Sequence, residues 1–248
     1  MKDLQFKQYL VEGKIIMIKK IGIGLLTGSI ILTAAACGST GNIKGENTSV
    51  EKKNEQKSTS NTQDMSYKAI YKNSLFMGDS ITEGLTFHDF LDQQNVIAKT
   101  GDILMLVLKD KTDDEAIKRK PKHIFMAYGN DDLYVKKDLD GNPVDPVKFS
   151  IENYTKMIQK MKKELPDTKL HLLAVLPVTE EVVQQNPVYQ RIKEYNEALK
   201  KLAETEGIDY IDLSSIVEKN KNIYDKDGVH FKKAYYPLML DFLKSKIQ

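Results

Sequence analysis

Ser80 sits in the run Gly78-Asp79-Ser80-Ile81-Thr82-Glu83-Gly84, directly after a short apolar stretch. A serine hydroxyl is a poor nucleophile until a base removes its proton, and the base must be held in one tautomer by a third group. Four histidines are available: His88, His123, His171 and His230. His123 and His171 open apolar runs that read as strands, which gives them structural roles, and His88 follows the serine closely in a helix or loop. His230 differs. It lies in Tyr224-Asp225-Lys226-Asp227-Gly228-Val229-His230-Phe231, where Gly228 permits a tight turn and Asp227 stands three residues upstream. That spacing lets the carboxylate reach one imidazole nitrogen while the other faces outward. Taken alone, a D-x-x-H run also reads as an exposed turn, because Asp and Gly are common turn residues.

Such scattered residues meet only if the elements between them return to one edge. After Tyr67, short apolar runs alternate with longer amphipathic ones, the pattern of a parallel sheet with crossover helices. Strands are predicted at 75–77, 96–98, 123–128, 170–176 and 210–213. Several are almost continuously apolar, as strands covered on both faces are. Helices are predicted over 151–165, closed by Pro166, and over 191–206, closed by Gly207. A last helix around 234–247 contains Pro237, so it either starts there or is kinked. Five such units in roughly 180 residues make one domain without internal repeats. Ligands of open α/β sheets bind outside the carboxyl ends of the strands. Ser80 follows the first strand, Gly101 the second, Asn130 and Asp131 the third, and Asp227 and His230 lie beyond the fifth.

In order and spacing, GDSITEG after the first strand, a glycine after the second, a G-x-N-D-like segment after the third and D-G-V-H near the end resemble the SGNH/GDSL hydrolase family. The resemblance covers roughly 70–248. It implies a flavodoxin-like, three-layer α/β/α sandwich with a five-stranded parallel sheet, and cleavage of carboxylic esters or thioesters without a metal or organic cofactor. By residue, it implies Ser80 as nucleophile and, through its backbone N–H, first oxyanion donor. Gly101 is then the second donor, His230 the general base and Asp227 its orienter. The α/β-hydrolase elbow reads G-x-S-x-G instead; here Thr82 fills the place of the second glycine.

The third block departs from the family pattern. Members read G-x-N-D, with the Asn side chain donating to the oxyanion, whereas this stretch is Ala127-Tyr128-Gly129-Asn130-Asp131-Asp132-Leu133 and puts Asp131 in the Asn place. An ionised carboxylate there would repel the developing charge, and loss of one oxyanion donor costs about 100- to 1,000-fold in turnover. Three readings stand: Asn130 takes over after a one-residue shift, Asp131 donates as a neutral acid, or activity is reduced. Apolar surroundings can keep a carboxylic acid neutral, and Asp132 could share the proton.

Other motifs carry less. The glycines of 78–84 do not form a phosphate loop, since no Lys follows Gly84. Asp138-Leu139-Asp140-Gly141-Asn142-Pro143 hints at calcium, but its glycine comes too early for an EF-hand, and it reads as an exposed turn. Tyr235, Tyr236, Leu238, Leu240 and Phe242 are expected to pack the last helix on the sheet, one or two of them lining an acyl pocket.

Lys19 and Lys20 precede an apolar stretch over 21–36 that ends in Ala34-Ala35-Ala36-Cys37-Gly38. A positive start, an apolar middle and small residues at the end make a secretion signal, and Met17 is an alternative start for it. The small residues before Cys37 resemble a bacterial lipobox, although Ala34 stands where Leu is usual. The resemblance implies that residues 1–36 are removed and Cys37 is lipidated. An uncleaved membrane anchor is the alternative, but about 16 residues is short of the roughly 20 a span needs. From 37 to 67 the chain is polar and almost free of large apolar groups, and reads as a disordered tether with a reach on the order of 30 Å. The folded domain is expected over 68–248.

The net charge of +2 owes much to the leader, with its five lysines against one Asp and one Glu. The remainder, with 32 basic and 33 acidic residues, is near neutral and argues against nucleic-acid binding. A single cysteine excludes an internal disulfide and a cysteine-based metal cluster. The expected protein is a lipid-anchored esterase outside the cell, acting on O-acetyl or short acyl groups of carbohydrate or on acyl lipids. Alternatives are a catalytically impaired carbohydrate-binding or scaffold lipoprotein, and an O-acyltransferase.

Overall fold

The computed structural model describes residues 67–247 and, before them, only Leu10–Val11 and Lys14–Ile15, which pair as a short antiparallel ladder. Those four apart, the expected leader, Cys37 and the tether up to 66 lie outside the described residues. Among the described residues no helix is long and apolar enough to cross a membrane.

The strand β1 (Ser74–Gly78) is buried at every position, and its alternation feeds two cores. Leu75 and Met77 face one layer while Phe76 faces the other, as the two-residue period of a strand requires. With β2 (Val96–Ala98), β3 (His123–Ala127), β4 (Lys169–Leu173) and β5 (Asp209–Ile211) it forms one sheet, ordered β2-β1-β3-β4-β5 and parallel throughout. This is the strand order of flavodoxin-like folds, with its switch point between β1 and β3. One face is covered by α2 (Leu104–Lys109), α3 (Thr112–Arg119), α4 (Pro146–Glu164) and α6 (Ile192–Glu206). The other is covered by α1 (Ser80–Phe87), α7 (Ser214–Lys219) and α8 (Tyr235–Leu243). A short α5 (Glu180–Gln185) lies between β4 and α6. The three-layer sandwich expected from the sequence is the fold.

All five strands lie where the apolar runs predicted them, and the differences are at their ends. The chain stays buried from Ala174 to Leu176 and leaves the ladder after Ala174, whose N–H still bonds the Ile211 carbonyl at 2.9 Å; at Val175 the Asn196 side chain takes over both backbone groups, accepting from the N–H and donating to the carbonyl, each at 2.8 Å. Helix α4 starts before 151, since Asp145 accepts from the Lys148 N–H and Pro146 fits the first helical position. Pro237 falls in the first turn of α8, so that helix is not kinked there. Tyr235, Tyr236 and Leu240 of this helix are buried as expected, whereas Leu238 and Phe242 are exposed. Asp138 closes the 138–143 turn by accepting from the N–H groups of Asp140 and Asn142.

His123 and His171 are core residues. His171 is 0% exposed, stacks on Phe125 at 4.5 Å, and bonds His123 Nδ1 through Nε2 and Asp209 through Nδ1, each at 3.0 Å. Burial pulls its pKa down from 6.5 to about 4, against the raising effect of Asp209. The folded chain therefore holds His171 neutral while the unfolded chain protonates it below about 6.5, so stability drains away as pH falls from there towards 4. Thermal melts between pH 7 and 4.5 will show this acid limb, and His171→Phe, which keeps the ring stack, will make it shallower. An equally steep limb in the variant contradicts the assignment.

Candidate active site

Helix α1 begins at Ser80, on the turn that leaves the carboxyl end of β1. Asp79 caps it, its buried carboxyl accepting from the Ile81 N–H at 3.0 Å. Ser80 thus occupies the first helical position, where backbone N–H groups lack intrahelical acceptors and the helix dipole favours negative charge. Its Oγ lies 2.8 Å from His230 Nε2.

His230 is held by a compact turn. Asp227 Oδ1 accepts from the N–H groups of Val229 and His230, at 3.0 and 2.9 Å, and its Oδ2 lies 2.5 Å from His230 Nδ1. Gly228 carries φ +70° and packs so tightly that a Cβ there would sit 2.3 Å from Thr179 Oγ1. A Tyr224–Phe231 bridge closes the base of the turn, and the Tyr224 hydroxyl donates to the Pro177 carbonyl. With Asp227 accepting at Nδ1, the tautomer left to His230 has a free lone pair on Nε2, the form that takes a proton from Ser80. Burial acts to raise the Asp227 carboxyl, but the bonds from the His230 ring and the two N–H groups outweigh it and hold the pKa below the ordinary range. Asp227 stays ionised beside the imidazole.

The remaining predicted residues divide. Gly101 lies in the turn after β2, with φ +77°. Asn130 is buried and lines a small, partly open cavity of about 40 Å³, with Asp79, Thr82 and Tyr128 among the other lining residues. Asp131 is half-buried and within electrostatic range of His230. Burial raises its pKa, the charge His230 can carry lowers it, and Asp102 raises it again. Of the pair, Asn130 lines that cavity and Asp131 is the member that feels the charge of His230. Asp132 points inward, accepting from the Leu104 N–H at 3.1 Å and from Ser150 Oγ at 2.9 Å, and burial raises it to about 7.

An open groove of about 480 Å³ runs past Ser80 and His230. Its wall includes Glu83, Thr86, His88, Gln93, Thr100 and Asp225, with Phe87 and Tyr236 as aromatic members. Tyr236 is among the aromatic residues expected near an acyl pocket; the others come from separate stretches of the chain, and for them only the Ser80–Glu83 spacing, one helical turn, pointed to the same edge.

The chemistry open to this arrangement is acyl transfer from an ester through serine, the work of a carboxylic ester hydrolase. Residues 76–237 match the model of the GDSL-like lipase/acylhydrolase family, and the chain belongs to that family. A GDSL-like lipase from Bacteroides thetaiotaomicron is similar in fold, with 20% identity, a TM-score of 0.54, and 75% of this chain and 94% of that one covered. For a lipase/acylhydrolase from Enterococcus faecalis the values are 21%, 0.53, 71% and 95%. For a catalytic mutant of an acetylxylan esterase from Geobacillus stearothermophilus they are 16%, 0.53, 70% and 92%. None of the curated proteins matches the sequence.

Ionised Asp131 opposes a negative transition state, so Asp131→Asn will raise kcat on p-nitrophenyl acetate at pH 8 by about tenfold or more. The ratio of variant to parent will shrink towards acid pH as the Asp131 carboxyl takes up its proton. A fall in kcat in the variant would instead show a working acid at Asp131.

Proposed function

We propose that the chain is a serine esterase, held outside the cell membrane by a lipid on Cys37, that removes acetyl or other short acyl groups from carbohydrate hydroxyls. The observation that carries the catalytic part is the continuous Ser80–His230–Asp227 hydrogen-bond chain. Ser80 Oγ attacks the ester carbonyl carbon while its proton passes to His230 Nε2. The oxyanion is met by the N–H groups of Ser80 and Gly101. Collapse breaks the bond to the sugar oxygen, which leaves with the proton from His230. Water, deprotonated by His230, then attacks the acyl-serine, and the carboxylic acid departs as Ser80 recovers its proton.

The character of the groove supports carbohydrate over lipid. Polar residues outnumber aromatic ones along its wall, and Phe87 on its lip is 81% exposed, a ring face open to a sugar ring. Its charged groups are acidic and no Lys or Arg lines it, a poor match for a phosphate headgroup. The likeness to an acetylxylan esterase points the same way. Asp131 favours a second reading, a protein of this fold that binds acylated carbohydrate but turns over slowly.

Ser80→Ala will abolish labelling by a fluorophosphonate probe and lower turnover of p-nitrophenyl acetate by about 10⁴-fold or more. A folded parent protein that neither labels nor turns over acetyl or longer acyl esters rules the esterase out. Cys37→Ser will release the protein from the membrane fraction and end its metabolic labelling by fatty acid; unchanged labelling would sink the anchor.

A further inference from the structure

Helix α1 carries a second polar group aimed at the site. Glu83 lies one turn beyond Ser80, and residues three apart share a helix face. Its Oε2 accepts twice from one residue across the groove, from the Thr100 N–H at 2.8 Å and from Thr100 Oγ1 at 2.6 Å. Thr100 directly precedes Gly101 in the turn after β2. Lys99 N–H makes a long bond of 3.4 Å to the Gly78 carbonyl, and Asp102 N–H bonds Lys99 O at 3.0 Å. Gly101 has no side chain, sits at φ +77°, and has open space where a Cβ would be. The chemistry needs its N–H at a fixed place within hydrogen-bond reach of the oxyanion.

We infer that Glu83 is a positioning residue: by clamping Thr100 to the helix that bears Ser80, it makes the nucleophile and the Gly101 N–H parts of one rigid body. The inference rests on the esterase reading for its catalytic consequence but not for the clamp itself. The double bond to a single carboxylate oxygen fixes both the peptide plane before Gly101 and the side chain beside it. An ionised acceptor makes those bonds stronger than neutral ones. Since a misplacement of about 1 Å can cost about 100-fold in rate, the clamp acts on kcat.

The test compares Glu83→Ala and Glu83→Gln with the parent in p-nitrophenyl acetate kinetics, thermal melting and amide hydrogen exchange. Glutamine keeps an Oε1 that can accept both bonds, whereas alanine keeps none. Glu83→Ala will lower kcat by about 10- to 100-fold with KM within about twofold. Its Thr100 and Gly101 amides will exchange faster while those of β1 and β3 do not. Glu83→Gln will restore most of the rate and the slow exchange, which a purely charge-based effect would not. Thr100→Val, which keeps the N–H and loses the hydroxyl, will fall between them. Unchanged kcat and exchange in Glu83→Ala, or a loss in kcat accompanied by a matching fall in melting temperature and equal in Glu83→Gln, overturns the positioning role. Faster exchange at Gly101 in Glu83→Ala, in a protein whose parent shows no turnover at all, keeps the clamp and rejects the esterase reading instead.

Discussion

The pairing of β1 with strands on both sides is the constraint from which the site follows. In register, Gly78 stands level with Ala98 of β2 and Ala127 of β3, so three chains leave the sheet at one height. Ser80, the Thr100–Gly101 turn and the Asn130–Asp131 segment are therefore neighbours before any side chain makes a bond. A strand that is buried at every position cannot slip by one residue, because the slip would exchange Leu75 and Met77 with Phe76 between two differently shaped cores. Phe76 stacks on Phe125 at 4.8 Å and Phe125 on His171 at 4.5 Å, which fixes the same register from a second direction. Packing of the interior and placement of the catalytic serine are one requirement.

The His230 turn answers to a different constraint, since it must arrive from the far end of the chain. Phe231 stacks on Tyr224 and on Tyr235, at 5.1 and 4.3 Å, and Tyr236 of α8 donates from its hydroxyl to the Ile81 carbonyl in α1. The aromatic residues after the histidine thus fasten its loop to the helix that starts at the nucleophile. Carboxylates crowd the region, and their surroundings set them apart. Asp79 and Asp132 are buried and pushed up, Asp131 is also raised, and Asp227, fed by three donors, is held low. Of these four, Asp227 is the one built to stay charged, at the nitrogen of His230 where a charge helps.

Much of this was legible in the sequence for plain reasons. Near-continuous apolar runs such as 123–127 can only be strands covered on both faces, and strands of that kind imply parallel order with helices on each side. Ser80, Asp227 and His230 were legible because each sits in a short run whose glycine or helix start dictates local shape. What escaped was long-range. Nothing in the spacing of Asn196 reveals that it replaces a strand partner for Val175, 21 residues away. The Glu83–Thr100 contact depends on the pitch of α1 and the length of the β1–β2 crossover together. Asn130 is buried and Asp131 half-buried, and a sequence position beside Gly129, where φ is +138°, does not reveal which of the two is covered.

If the edge of the sheet turns Ser80 into a nucleophile, an acyl-enzyme is the direct product. Rapid acid quenching of the protein after mixing with an activated acetyl ester, followed by peptide mass spectrometry, reads that product without assuming a natural substrate. One added acetyl group is expected on the peptide that contains Ser80, formed within the first turnover and absent from His230→Ala. Hydrolysis of the ester with no acetyl on Ser80, or with acetyl carried by another residue, would contradict that role of Ser80.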